Sequence, residues 1–114
     1  MGYCYSNGIG TEVDYEKAFE CFTKSAEQDN NEAQYELGLC YEYGDGTEQD
    51  YEKAFEWYNA AAEQNNDEAL YALGRCYEKG IGTEKNLAKA IECYKKAALF
   101  DNELAKDKLK ELGE

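Results

Sequence analysis

A shift of 36 residues lays this sequence almost on top of itself. Met1-Gly2-Tyr3-Cys4-Tyr5 becomes Leu37-Gly38-Leu39-Cys40-Tyr41 and then Leu73-Gly74-Arg75-Cys76-Tyr77. Gly8-Ile9-Gly10-Thr11-Glu12 becomes Gly44-Asp45-Gly46-Thr47-Glu48 and then Gly80-Ile81-Gly82-Thr83-Glu84. Between the first and second windows about 21 of 36 positions match, and between the second and third about 17 of 36, where chance supplies two or three. A unit this short cannot bury its own apolar face, so the units must stack on one another, and the fold is an array.

Within a unit the apolar period is helical. Ala33, Leu37, Cys40, Tyr41 and Gly44 follow i, i+4, i+7, i+8 spacing, which predicts a first helix (A) with one apolar face. Gly44 and Gly46 stop it, because glycine readily adopts the left-handed conformation of a helix C-terminus. Asp50, with Asp14 and Asn86 at the matching places, is the expected N-cap of a second helix (B). Its stripe is Tyr51, Ala54, Phe55, Tyr58, Ala61 and Ala62, and Asn65-Asn66-Asp67 reads as a polar turn into the next unit. Gly38 and Gly74, each followed 16 residues later by Ala54 or Ala90, suggest close approach of the two helices of a pair. The expected fold class is all-α, an α/α solenoid (right-handed superhelix) of 36-residue helix-turn-helix repeats. The expected divisions are a partial first repeat 1–30, a second 31–66, a third 67–101 and a capping helix 102–114. In that cap Leu104, Ala105, Lys108, Leu109 and Leu112 keep helical apolar spacing, and Lys106, Lys108 and Lys110 are expected to face solvent. The first window starts part-way along helix A, so the expectation is a piece cut from a longer array, or else an open end covered by another molecule, a second copy included.

The order Ala-x-x-x-Leu-Gly-x-x-Tyr-x-x-Gly-x-Gly followed by Asp-Tyr-x-Lys-Ala-x-x-Trp-Tyr-x-x-Ala-Ala resembles the Sel-1-like repeat, a relative of the tetratricopeptide repeat. It is carried by Ala33, Leu37, Gly38, Tyr41, Gly44, Gly46, Asp50, Tyr51, Lys53, Ala54, Trp57, Tyr58, Ala61 and Ala62. The resemblance implies a solenoid used as a scaffold or adaptor for protein–protein interaction. The family's secreted, cysteine-rich members place cysteines at the turn between units. Here those places hold Ala26, Ala62 and polar residues, so their disulfide scheme does not carry over.

Composition narrows the chemistry. There is no histidine, which removes Ser-His-Asp and Cys-His catalysis and imidazole metal sites. Acidic residues outnumber basic ones 25 to 12, for a net charge of −13, a surface that repels nucleic acid and anionic membranes. The glycine pairs recur three times, follow a helix and lack the lysine of a phosphate-binding loop, so they read as turns. Five cysteines, an odd number, fit reduced thiols in a cytoplasmic protein better than a disulfide framework. Cys76 with Cys93, and Cys4 with Cys21, share a spacing that also allows pairing across a hairpin. The paired carboxylates, Glu16/Glu52 and Glu20/Glu56, repeat with the array and read as a solvated face. No Ser-x-x-Lys pair exists, Lys24 and Ser25 being adjacent. Neither cofactor nor metal is expected, and the chain reads as non-enzymatic.

The expected binding surface is the concave wall formed by the A helices. It carries Tyr35, Leu39, Glu42 and Tyr43 in the second unit, Tyr71, Arg75, Glu78 and Lys79 in the third, and Tyr3, Ser6 and Asn7 in the first. Positions such as Tyr3/Leu39/Arg75 and Asn7/Tyr43/Lys79 vary while the frame is constant. The partner expected there is a protein or peptide segment, with Arg75 and Lys79 pairing one of its carboxylates. The alternatives are a structural spacer or a self-associating array and, behind these, a hydrolase or thiol-dependent enzyme.

Overall fold

The computed structural model describes residues 15–113. Six helices follow one another: α1 (Tyr15–Glu27), α2 (Asn31–Tyr43), α3 (Tyr51–Glu63), α4 (Asp67–Lys79), α5 (Leu87–Leu99) and α6 (Glu103–Glu111). The described residues contain no strand, and none of their helices is long and apolar enough to cross a membrane. Each helix packs on its neighbours in sequence, α2 on α3 and α4 on α5 most extensively, so the body is elongated, 44 × 27 × 26 Å. It is a helical solenoid.

The helix ends are set locally. Asp50 and Asn86 cap α3 and α5 as expected, each side chain accepting from the backbone N–H three residues on at 3.1 Å. Asn30, Asn66 and Asn102 do the same for α2, α4 and α6, so the polar turns are also start signals. Just before each of these caps, Asp29, Asn65 and Asp101 take positive φ of 63°, 64° and 66°, a conformation that short polar side chains tolerate. Gly44 and Gly80 end α2 and α4 in the left-handed region, φ 71° and 74°. In the loop after α4, Gly82 also has positive φ, and a Cβ there would lie 2.2 Å from the Tyr51 carbonyl oxygen. That glycine lets the loop of one unit lie directly on the start of helix B of the preceding unit.

The core differs from the expected one in three places. A Cβ on Gly38 would fall 2.5 Å from Cε1 of Tyr58, and one on Gly74 would fall 2.5 Å from Cε1 of Tyr94. The glycines therefore make room for a tyrosine ring rather than for an alanine. Ala54 and Ala90 are fully buried, and so are both tyrosines. Tyr51 is exposed, because the first residue of α3 overhangs the stripe, while Ala54, Tyr58, Ala61 and Ala62 are buried. In α6, Ala105 is buried and Leu109 and Leu112 pack on the core, but Leu104 faces solvent and Lys108 turns inward. Tyr41 and Tyr77 meet the rings of Phe19 and Phe55 edge to face at 5.5 Å, each with a lysine, Lys53 or Lys89, over its own ring at 5.5 Å. Phe19 and Phe22, readable as the open leading edge of the array, are partly buried against Ala26, Ala33 and Leu37.

The first, partial helix A, its Tyr3, Cys4, Ser6 and Asn7, the Asp14 cap and the open N-terminal end all lie outside the described residues.

Candidate partner-binding face

Helices α2 and α4 carry the eight residues expected to meet a partner, and the structure divides them. Tyr43 and Lys79, in the last turns of α2 and α4, are exposed, Tyr43 to 58%. Tyr35, Leu39 and Tyr71 are half-buried, one side of each resting on the core. Tyr35 lies 5.9 Å from the Tyr58 ring and Tyr71 lies 5.6 Å from that of Tyr94. This leaves a band of aromatic and aliphatic side chains running from α2 to α4.

The charged residues of the band are engaged inside the protein. Glu42 was placed by helical spacing on the open face, yet it is buried. Its carboxylate accepts from the Tyr58 hydroxyl at 2.5 Å and from both terminal nitrogens of Arg75 at 3.2 Å. A buried carboxylate is tolerated only when paired and hydrogen-bonded, and this one has three donors. Burial alone would push the Arg75 guanidinium down, but the bonds to Glu42 outweigh it and hold the group firmly charged. Burial, then the bond to Glu42, raises the Tyr58 hydroxyl far above the ordinary tyrosine range. Arg75 also lies over the Tyr71 ring at 6.0 Å.

One unit later the arrangement recurs with a different cation. Glu78 accepts from the Tyr94 hydroxyl at 2.6 Å, and Lys108 of α6 reaches its carboxylate at 3.5 Å. Alignment of the units misses Lys108, because α6 supplies it one turn earlier than α4 supplies Arg75, although its spacing with Ala105, Leu109 and Leu112 puts it on the apolar stripe. The apolar stripe of helix B places Tyr58 in the core, where the matching Tyr94 also lies, but says nothing of their hydroxyls. The available signal was the repeated pairing of Glu42 with Tyr58 and of Glu78 with Tyr94 at an identical spacing.

Around Tyr35 the balance is acidic. Its hydroxyl is pushed up to about 12, first by burial and then by Glu68 and Glu36, with Arg75 opposing. Glu36 is raised by burial, then by Glu68 and Glu32, and Glu68 by burial, then by Asp67 and Glu32.

The thiols Cys21, Cys40, Cys76 and Cys93 are free, Cys76 and Cys93 remaining separate. Burial pushes Cys40 and Cys76 up to about 12 and raises Cys93 as well, away from the thiolate form that nucleophilic or metal chemistry requires. No group of three or more acidic or cysteine side chains among the described residues is placed to hold a metal ion.

The Sel1 repeat model matches this sequence at residues 1–30, 31–66 and 67–99. The chain belongs to the Sel1 repeat family. Among solved structures, a Sel1 repeat protein from Oxalobacter formigenes is 40% identical, with a TM-score of 0.85 over 91% of this chain and 43% of its own. The protein c5321, a protective antigen of uropathogenic Escherichia coli with an SLR fold, is 33% identical, with a TM-score of 0.90 over 95% of this chain and 23% of its own. Cysteine-rich protein B of Helicobacter pylori is 28% identical, with a TM-score of 0.76 over 80% of this chain and 68% of its own. This Sel1 chain thus spans less than half the length of the first two. No curated protein matches the sequence significantly.

Proposed function

We propose that this Sel1 array is a non-enzymatic protein-interaction module, a scaffold or adaptor that holds a protein or peptide segment along the A-helix face of α2 and α4. The observation that carries the reading is the band of Tyr35, Leu39, Tyr43 and Tyr71, open to solvent in a frame whose central charges are already paired. Tyrosine suits such a role, combining apolar area with a directed hydroxyl. Arg75 belongs to the frame in this reading, since pairing a partner's carboxylate would take it from Glu42. Lys79 is a rim residue. The net charge of −13 argues against nucleic acid as the ligand. The free thiols support a reducing, cytoplasmic setting.

The test is affinity capture from the source organism's lysate, with wild type beside Tyr43→Ser and Leu39→Ser/Tyr43→Ser. Proteins kept by wild type and lost by the variants, with melting curves unchanged for Tyr43→Ser, would support the face. Equal retention by all three would remove it.

A second reading, self-association, has its own observation. Leu99, Phe100 and Leu104 cluster at the α5–α6 turn and are exposed, Leu99 to 81%. A dimer in sedimentation velocity that dissociates on Leu99→Ser/Leu104→Ser would favour it.

A further inference from the structure

The two tyrosines of the band are equivalent in sequence and unlike in surroundings. Tyr71 has Arg75 one turn on, and the guanidinium lies 6.0 Å over its ring while binding Glu42. Tyr35 has Leu39 at the matching place, and among the described residues no cation lies over its ring. Two carboxylates act on it instead, Glu36 of α2 and Glu68 of α4, and Glu32, one turn before Glu36, acts on both of these. None of the three makes an ion pair among the described residues. Of the wall's cations, Arg75 and Lys108 are committed to Glu42 and Glu78, and Lys79 stands exposed in the last turn of α4. The aromatic band is therefore bordered by net negative charge around Tyr35, and its central cations are already held by the protein's own carboxylates.

We propose that the occupant of this face is a basic segment, one whose lysine or arginine seats over Tyr35 among Glu32, Glu36 and Glu68 while a neighbouring apolar side chain lies on Leu39 and Tyr43. The proposal rests on the reading of this face as a peptide-binding wall and adds the chemistry of the ligand. It reverses the expectation that Arg75 and Lys79 select an acidic partner. Each element has a physical source. A cation over an aromatic face is attracted by the ring quadrupole, more strongly once partly desolvated. Mutually repelling carboxylates gain most from an incoming positive charge, and a complementary field also speeds encounter.

A phage-displayed library of random twelve-residue peptides, selected on the full chain and counter-selected on Leu39→Ser/Tyr43→Ser, tests this directly. The expected outcome is enrichment of lysine or arginine beside an aliphatic or aromatic residue. A synthetic peptide of the consensus should bind at least tenfold more weakly to Glu36→Gln/Glu68→Gln. It should bind equally well to Glu20→Gln/Glu56→Gln, which removes the same charge from exposed positions on the B helices. The first variant relieves repulsion, so its stability should be unchanged or raised, and lost binding cannot be ascribed to unfolding. Face-dependent peptides without a basic preference, or equal weakening by both double variants, would overturn the basic-segment proposal while leaving the face intact. No face-dependent enrichment at all would overturn the face and the proposal together.

Discussion

The solenoid has two A-helix junctions built on one plan and finished differently. Between α2 and α4, Glu42 is held by Tyr58 and by both nitrogens of Arg75, with side-chain exposures of 6% for the glutamate and 18% for the arginine. Between α4 and α6, Glu78 is held by Tyr94 and a single ammonium, that of Lys108, with exposures of 22% and 21%. The planar guanidinium offers two parallel donors in fixed geometry, whereas the ammonium is a point charge on a flexible stem. The shared element is the tyrosine–glutamate bond within each hairpin; the cation that ties one unit to the next is interchangeable. A hairpin thus carries its own polar anchor, and array extension needs only some cation in reach of it.

The comparison breaks first at the cations. Arg75→Ala leaves Glu42 buried with one donor in place of three, and losing one partner of a buried pair costs about 3 kcal/mol. Lys108→Ala leaves Glu78 with more access to water and should cost about 1 kcal/mol. Urea denaturation of the two variants should separate them by about 2 kcal/mol, and equal midpoints would show that both junctions are solvent-screened alike. The hairpin interiors sharpen the contrast from the other side. Gly38→Ala and Gly74→Ala each drive a Cβ into a tyrosine ring at 2.5 Å, overpacking worth about 2 kcal/mol. The two losses should agree, because the pairs they disturb are the same. A clear difference between them would place the asymmetry inside the hairpins rather than at the junctions.

Much of this was legible in the sequence because each unit repeats what every unit needs. Gly44, Gly80, Asp50 and Asn86 recur for one structural reason apiece and do what their spacing predicts, whereas Ala54 and Ala90 are buried but leave Gly38 and Gly74 to face Tyr58 and Tyr94. Side-chain partners reaching between units were harder to see. Helical periodicity puts Glu42 at the edge of the buried arc, and a carboxylate there is read as exposed unless its donors are known. Those donors, Tyr58 and Arg75, lie 16 and 33 residues away. Lys108 is invisible for a related reason: α6 departs from the repeat, so no alignment of units predicts what it contributes. The binding face was legible only as a pattern of variable positions, which shows where a surface differs but not which of its charges are already satisfied.

Alkali should act on both hairpins at once. Cys40 and Cys76 are raised from 9.0 to about 12 by burial. For an acid raised on folding, the unfolded chain releases its proton first. The stabilisation is therefore complete below pH 9 and is lost as pH rises from there toward 12. Each thiol should forfeit about 1 kcal/mol per pH unit over that range, and the buried tyrosines Tyr58 and Tyr94 add to the loss above pH 10. Circular dichroism at graded pH should show urea midpoints falling above pH 9, more shallowly in Cys40→Ala/Cys76→Ala than in wild type. Parallel slopes would remove the thiols as the cause.

The smallest effect reverses the ranking of the junctions. On the turn edge, Asn66 caps α4 and donates to the Asn31 amide oxygen of the preceding unit at 2.8 Å. Asn102 caps α6 and donates to the Asp67 carboxylate at 3.0 Å, and its side chain is buried more deeply. Both lose a cap on replacement by alanine, about 1 kcal/mol. Asn102 loses in addition a bond to a charged acceptor, which is stronger than one to a neutral amide. Asn102→Ala should therefore cost more than Asn66→Ala by about 0.5 kcal/mol, although the cation at its junction is the weaker of the two. With this order, α6 is held less by Lys108 than by its first turn, and fraying should begin at the C-terminal end of α6. Amide exchange that is fastest around Lys110 and slowest near Ala105 would agree, and the opposite gradient would return the cap's attachment to Lys108.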